Sequence, residues 1–85
     1  MAGVTVYTTS WCGPCRRAKD LLRRKGVAFR EIDVEEVPGA REEMERRSGR
    51  QTVPQVFVGD RHLGGCDDIH RLDAQGLLDG QLSGP

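Results

Sequence analysis

The sequence predicts an α/β fold: a four-stranded mixed sheet with three helices, in the order βαβαββα. Two observations carry this expectation. An alternating run, Val4-Thr5-Val6-Tyr7, leads through Cys12-Gly13-Pro14-Cys15 into apolar residues at helical spacing, Ala18, Leu21 and Leu22, and then into a second extended run, Val27 to Val34. Strand, helix and strand within about thirty residues require a right-handed parallel crossover. Later, Gly59-Asp60 separates two apolar runs, as a two-residue hairpin does.

Taken in order, Val4 to Thr8 forms the first strand, and Thr8, Thr9 and Ser10 lead to the cysteines. Pro14 falls in the first turn of helix one, where its missing N–H costs little. That helix runs to about Lys25, and Gly26 ends it. In strand two Val27 and Phe29 share one phase and Ile32 and Val34 the other, which predicts an irregularity near Arg30-Glu31. Pro38 suits the first position of helix two, with Ala40, Met44 and Arg47 inward and Gly49 at its end. Gln51 to Val58 is the third extended run. Pro54 cannot donate to a ladder, so it marks a strand start or a special turn, including a cis bond. Gly64 and Gly65 stop the fourth strand. Asp67 and Asp68 then offer N-terminal capping to helix three, with Ile69 and Leu72 inward. Leu77, Leu78 and Leu82 continue the packing past Gly76, and Ser83 to Pro85 are expected to fray.

Eighty-five residues make one domain, residues 1–85. Its core is small, because a chain this short buries only roughly 60–65% of its unfolded surface. The odd cysteine, Cys66, argues against a secreted disulfide scaffold and for a reducing compartment, so a cytoplasmic location is expected. No stretch approaches membrane-spanning length, and no signal-like pattern opens the chain. A formal net charge of +0 implies no general attraction to nucleic acid. The charges are segregated all the same. Arg16, Arg17, Lys19, Arg23, Arg24 and Lys25 follow the cysteines, and Glu31, Asp33, Glu35, Glu36, Glu42, Glu43 and Glu45 fill the middle. Most are solvated helix faces. Arg16 and Arg17 differ, since cations in a first turn oppose the helix dipole unless they favour a neighbouring anion.

That anion is a thiolate. A strand ending in C-x-x-C that opens a helix puts the Cys12 sulfur among unpaired N–H groups at the positive dipole end, which lowers a thiol's pKa. Cys15 follows one turn later, near enough to close a short disulfide. The alternatives are half of a zinc site or two inert buried thiols. A zinc site needs a second ligand pair, and Cys66, His62 and His70 show no second C-x-x-C or H-x-x-x-H spacing.

Three signals recur in order: Cys12-Gly13-Pro14-Cys15, Thr52-Val53-Pro54, and Gly64-Gly65-Cys66-Asp67-Asp68. Together they resemble a bacterial-type dithiol glutaredoxin over residues 3 to 80, including Thr52 to Val58 and Arg41-Glu42-Glu43-Met44. The resemblance implies the thioredoxin fold and a glutathione-dependent oxidoreductase acting on protein disulfides and glutathionylated proteins. It implies Cys12 as nucleophile, Cys15 as resolving thiol, and Pro54 as a cis-proline facing the disulfide. Thr52 and Val53 would lie along glutathione, with the Val53 backbone on its cysteine part. Gly65, Cys66 and Asp67 would take the γ-glutamyl end, and Arg41 the glycine carboxylate. Cys66 itself is expected to be a packed or backbone-binding residue, and His62 and His70 to face solvent.

Two positions depart from the family. Its common C-P-Y-C is replaced by Trp11-Cys12-Gly13-Pro14-Cys15, typical of thioredoxins, and a lysine before the first cysteine is replaced by Thr9. The first departure keeps open a thioredoxin-like electron donor reduced by a flavoprotein. The second removes a cation that would favour the thiolate. A third alternative is a carrier of a 2Fe–2S cluster, ligated by Cys12 and glutathione across a dimer; otherwise a monomer without metal is expected.

Overall fold

The computed structural model describes residues 3–83. Its elements are β1 (Val4–Thr8), α1 (Gly13–Arg24), β2 (Phe29–Asp33), α2 (Ala40–Ser48), β3 (Gln55–Val58), β4 (Arg61–Gly64), α3 (Cys66–Ala74) and α4 (Leu78–Ser83). The strands form one sheet in the order β2-β1-β3-β4. β2 runs parallel to β1, and β3 is antiparallel to both β1 and β4. This is the α/β thioredoxin fold, with four helices rather than three. The additional helix forms because Gly76, at φ 74°, turns the chain. Leu78 is then buried at 0% exposure. Ser83, expected to fray, is the last residue of α4, and its hydroxyl donates to the Asp79 carbonyl at 3.0 Å. Gly84 and Pro85 lie outside the described residues.

Alternation along the two central strands creates a core on each face of the sheet. Val4, Val6, Val56 and Val58 pack with Ala18, Leu21 and Leu22 of α1, Ile69 of α3 and Leu78. Tyr7 and Phe57 face the other way and pack with Val34, Ala40 and Met44. The mixed phase of the second strand has the same origin. Phe29 packs on the first core and Ile32 on the second. The expected irregularity near Arg30-Glu31 is absent, since β2 pairs without a break from Val4↔Phe29 to Thr8↔Asp33. The irregularity lies between β3 and β4 instead. Val56 faces Gly64 and Phe57 faces His62, which leaves Leu63 as a bulge.

The helix ends follow local chemistry. Gly26 has φ 72°. Its N–H reaches the Arg23 carbonyl at 2.9 Å, and the Val27 N–H reaches Leu22 at 3.1 Å, a Schellman end to α1. Val27 is thereby held out of β2. Pro38 sits in the turn before α2 rather than in its first position, because Gly39 is the N-cap at φ 80°. Arg47 points inward as expected. It donates to the Tyr7 hydroxyl and the Gly59 carbonyl, each at 2.8 Å, and lies 4.1 Å from the Phe57 ring centroid. β3 starts at Gln55, not Gln51, immediately after the cis Val53–Pro54 bond. No helix among the described residues is long and apolar enough to cross a membrane.

Candidate active site

The loop after β1 delivers Cys12 to the N-cap of α1, with Pro14 in the first turn. The Cys15 backbone N–H donates to the Cys12 sulfur at 3.1 Å. The helix thus already directs an orphan donor at this sulfur, and an anionic sulfur would hold that bond more strongly. Cys12 and Cys15 are joined as a disulfide with Cα atoms 5.2 Å apart. Cys15 is 1% exposed, whereas Cys12 is half-buried. Trp11 stands beside it fully exposed, in the left-handed region at φ 60°. An incoming disulfide therefore meets Cys12 before Cys15. Arg16 and Arg17 are exposed on the first turn.

The Cys12 sulfur also lies 4.0 Å from the Val53 carbonyl oxygen. Beyond that oxygen a groove of about 280 Å³ opens between the Thr52-Val53-Pro54 loop and the start of α3. Six of the residues expected from sequence line it: Thr52, Val53, Pro54, Gly65, Cys66 and Asp67. Arg41 does not; it lies in the first turns of α2. The groove also takes in Arg17, one of the two first-turn cations expected to favour an anion, and Pro14, Arg50, Gln55 and Asp68, to which sequence reasoning gave no part in binding. Gln55 carried a readable signal, a polar residue between Pro54 and an apolar strand.

Of the two aspartates offered as caps, Asp68 does the capping. Its carboxylate accepts the Gly65 N–H at 2.8 Å and pairs with Arg50 at 2.7 Å. Asp67 is left exposed at the groove. The hydrogen bond from Arg50, helped by that from Gly65, holds the Asp68 carboxyl below the usual carboxylate range. Such a group contributes stability above its unfolded pKa, near 3.9, and loses it as pH falls through the lower folded value. Asp68→Asn is therefore expected to melt below the wild type at pH 7 and to approach it as the pH falls below the unfolded carboxylate value. Thermal melts across that fall in pH check this, and a constant gap would overturn it.

Cys66 is a free thiol at 6% exposure, packed as expected. The histidines, expected to face solvent, are half-buried. His70 places Nδ1 2.7 Å from the Cys66 carbonyl. The His62 ring lies 4.9 Å from Phe57, between centroids, and meets the Gln55 side chain. Burial, with Arg50 nearby, pushes its pKa down. Among the described residues no group of three or more His, Cys, Asp or Glu is arranged to hold a metal ion.

Comparison with known proteins gives a consistent pattern. A family model described as glutaredoxin matches residues 4–63. A glutaredoxin from Pseudomonas aeruginosa is 52% identical over 83 residues, covering 98% of this chain and 99% of the relative. The solution structure of glutaredoxin from Brucella melitensis is 47% identical, with a TM-score of 0.83 over 100% of this chain and 95% of its own. The crystal structure of a buckwheat glutaredoxin–glutathione complex is 28% identical, with a TM-score of 0.88 over 96% of this chain and 77% of its own.

Proposed function

The chain belongs to the glutaredoxin family, and from that premise we propose how its residues carry out glutathione-dependent thiol–disulfide exchange. The observation that carries the reading is the position of the Cys12 sulfur, 4.0 Å from the Val53 carbonyl at the head of the groove. A sulfur bound there is within reach of Cys12, and the rest of its glutathione can lie along the groove.

On a glutathionylated protein, the Cys12 thiolate attacks the glutathione sulfur. A Cys12–glutathione disulfide forms, and the protein thiolate leaves and takes a proton. A second glutathione then attacks the glutathione sulfur, giving glutathione disulfide and releasing Cys12. On a protein disulfide, Cys12 forms a mixed disulfide with one protein sulfur. Cys15 attacks the Cys12 sulfur, releases the second protein thiol and closes Cys12–Cys15, which two glutathiones reduce.

The extended tripeptide pairs with the Val53 backbone as a strand added to an edge, with Thr52 and Pro54 on either side. The Cys66 and Asp67 N–H groups at the start of α3 hold the γ-glutamyl carboxylate, the Gly65 N–H being taken by Asp68, and the Asp67 side chain takes the ammonium. For the glycine carboxylate, Arg17 lines the groove and Arg41 does not, which favours Arg17; Arg50 is paired with Asp68 at the γ-glutamyl end. Both cysteines and both groove walls come from one chain, which supports a monomer. The unpaired Cys66 suits a reducing compartment such as the cytoplasm.

The residues do not fit a 2Fe–2S cluster held by this chain. A cluster takes four ligands. Among the described residues no group of three or more His, Cys, Asp or Glu is arranged to hold a metal ion, so a cluster would have to draw on glutathione and a second chain beside Cys12. The exposed Trp11 and its C-G-P-C neighbour favour one second reading, a donor reduced by a flavoprotein reductase. NADPH-coupled turnover separates the two. Turnover is expected with glutathione and glutathione reductase; turnover with thioredoxin reductase alone would transfer the assignment to the second reading.

A further inference from the structure

Gln55 is a glutamine at 0% exposure at the start of a central strand. A buried amide is costly unless its groups are bonded, and this one is bonded at both ends. Its Nε2 donates to the Thr52 carbonyl at 3.0 Å and to the Thr52 hydroxyl at 3.2 Å. Its Oε1 lies 2.6 Å from His62 Nε2. The chemistry fixes the direction of the chain. A carbonyl only accepts, so the amide nitrogen must face Thr52 and the amide oxygen must face His62. His62 Nε2 must then carry the hydrogen and donate it.

Resting on the glutathione reading above, we infer that Gln55 and His62 form a positioning relay that holds the Thr52-Val53-Pro54 wall of the groove and thereby sets the preference for glutathionylated over other mixed disulfides. The loop needs such support. Ladder pairing of β3 begins only at Gln55, opposite Tyr7, and Pro54 has no N–H to give. The Gln55 side chain carries the rigidity of the sheet back to Thr52. His62 lies opposite Phe57 on β4, whose end leads through Gly65 into the other wall. The relay therefore ties the two walls to one register, and Cys12 on α1 has no part in it. Neither Gln55 nor His62 needs to touch the reacting sulfurs; both act through Thr52 and Val53.

The test compares one peptide carried as its glutathione mixed disulfide and as its cysteamine mixed disulfide, by kcat/KM of the full chain. The wild type should prefer the first; no preference there would sink the glutathione reading itself. His62→Phe keeps a ring on Phe57 but removes the donor. It is expected to lower the preference about tenfold, the order expected when a buried acceptor loses its partner. Gln55→Glu, which sets oxygen against the Thr52 carbonyl, should do the same if His62→Phe folds poorly. His62→Gln, which keeps an N–H near the Nε2 position, should restore most of the preference. The rate at which iodoacetamide alkylates reduced Cys12 should change far less than the preference, because the Cys15 N–H that serves the Cys12 sulfur lies outside the relay. Folded variants of both positions with full preference, or an equal loss on both substrates, would overturn the relay.

Discussion

Cys12→Ser is expected to abolish exchange with both glutathionylated and disulfide-bonded substrates, a loss of about 10³-fold or more. Cys15→Ser is expected to keep a substantial fraction of the activity on glutathionylated peptide while losing that on protein disulfides. The asymmetry comes from position. Cys12 is the N-cap, its sulfur accepts the Cys15 N–H at 3.1 Å, and it is reachable from outside. Cys15, at 1% exposure, can reach only what Cys12 has already captured. Free glutathione substitutes for Cys15 on a bound glutathionyl group, because the sulfur under attack lies in the open groove. On a protein disulfide, the mixed intermediate instead waits for a neighbouring thiol. Steady-state assays on the two substrate types, with mass spectrometry of trapped intermediates, would decide. Equal losses in both variants on glutathionylated peptide would sink the assignment of nucleophile and resolving thiol.

Elements whose signals are local were legible in sequence. β1 is read at its observed limits, Gly26 and Gly49 end their helices, and Gly59-Asp60 makes the hairpin. The C-x-x-C turn was legible because its meaning depends only on a strand before it and a helix after it. What failed depended on the third dimension. The two phases of the second strand look like a fault in one dimension, but they are two cores on opposite faces of a sheet. Arg41 has the right chemistry for a carboxylate, yet α2 does not turn it toward the groove. Arg17 was legible as a first-turn cation that favours an anion, but Arg50 looks like one more surface cation until the loop after α2 meets α3 at that groove. Asp67 and Asp68 cannot be told apart by residue type. Only the partners of Asp68, Gly65 and Arg50, identify it as the cap.

Gly64→Ala is expected to produce the largest loss of stability of any glycine substitution at the groove, about 3 kcal/mol or more. For a domain of this size that corresponds to a fall in Tm of about 10–20 °C. Gly64 ends β4 with φ +120°, a conformation L side chains rarely adopt. An added Cβ would also fall 2.5 Å from the Asp68 Cβ. Asp68 cannot swing aside without cost, because its carboxylate is engaged by the Gly65 N–H and by Arg50. Strain at residue 64 and loss of the α3 cap would therefore arrive together. Gly65→Ala provides the control. Gly65 has φ −94°, which any residue adopts. Its Cβ would stand 3.2 Å from the Pro54 carbonyl oxygen. The neighbour must give by a few tenths of an ångström, a cost of about 1 kcal/mol, but the new methyl group enters the groove between its two walls. The pair should separate fold from binding: Gly64→Ala lowers Tm steeply, and Gly65→Ala lowers it little while raising KM for glutathionylated peptide. Melting curves and steady-state kinetics on both variants measure this directly. A Gly64→Ala protein melting within a few degrees of the wild type would show that Asp68 yields, and the close packing of β4 on α3 would then not be what fixes this end of the groove.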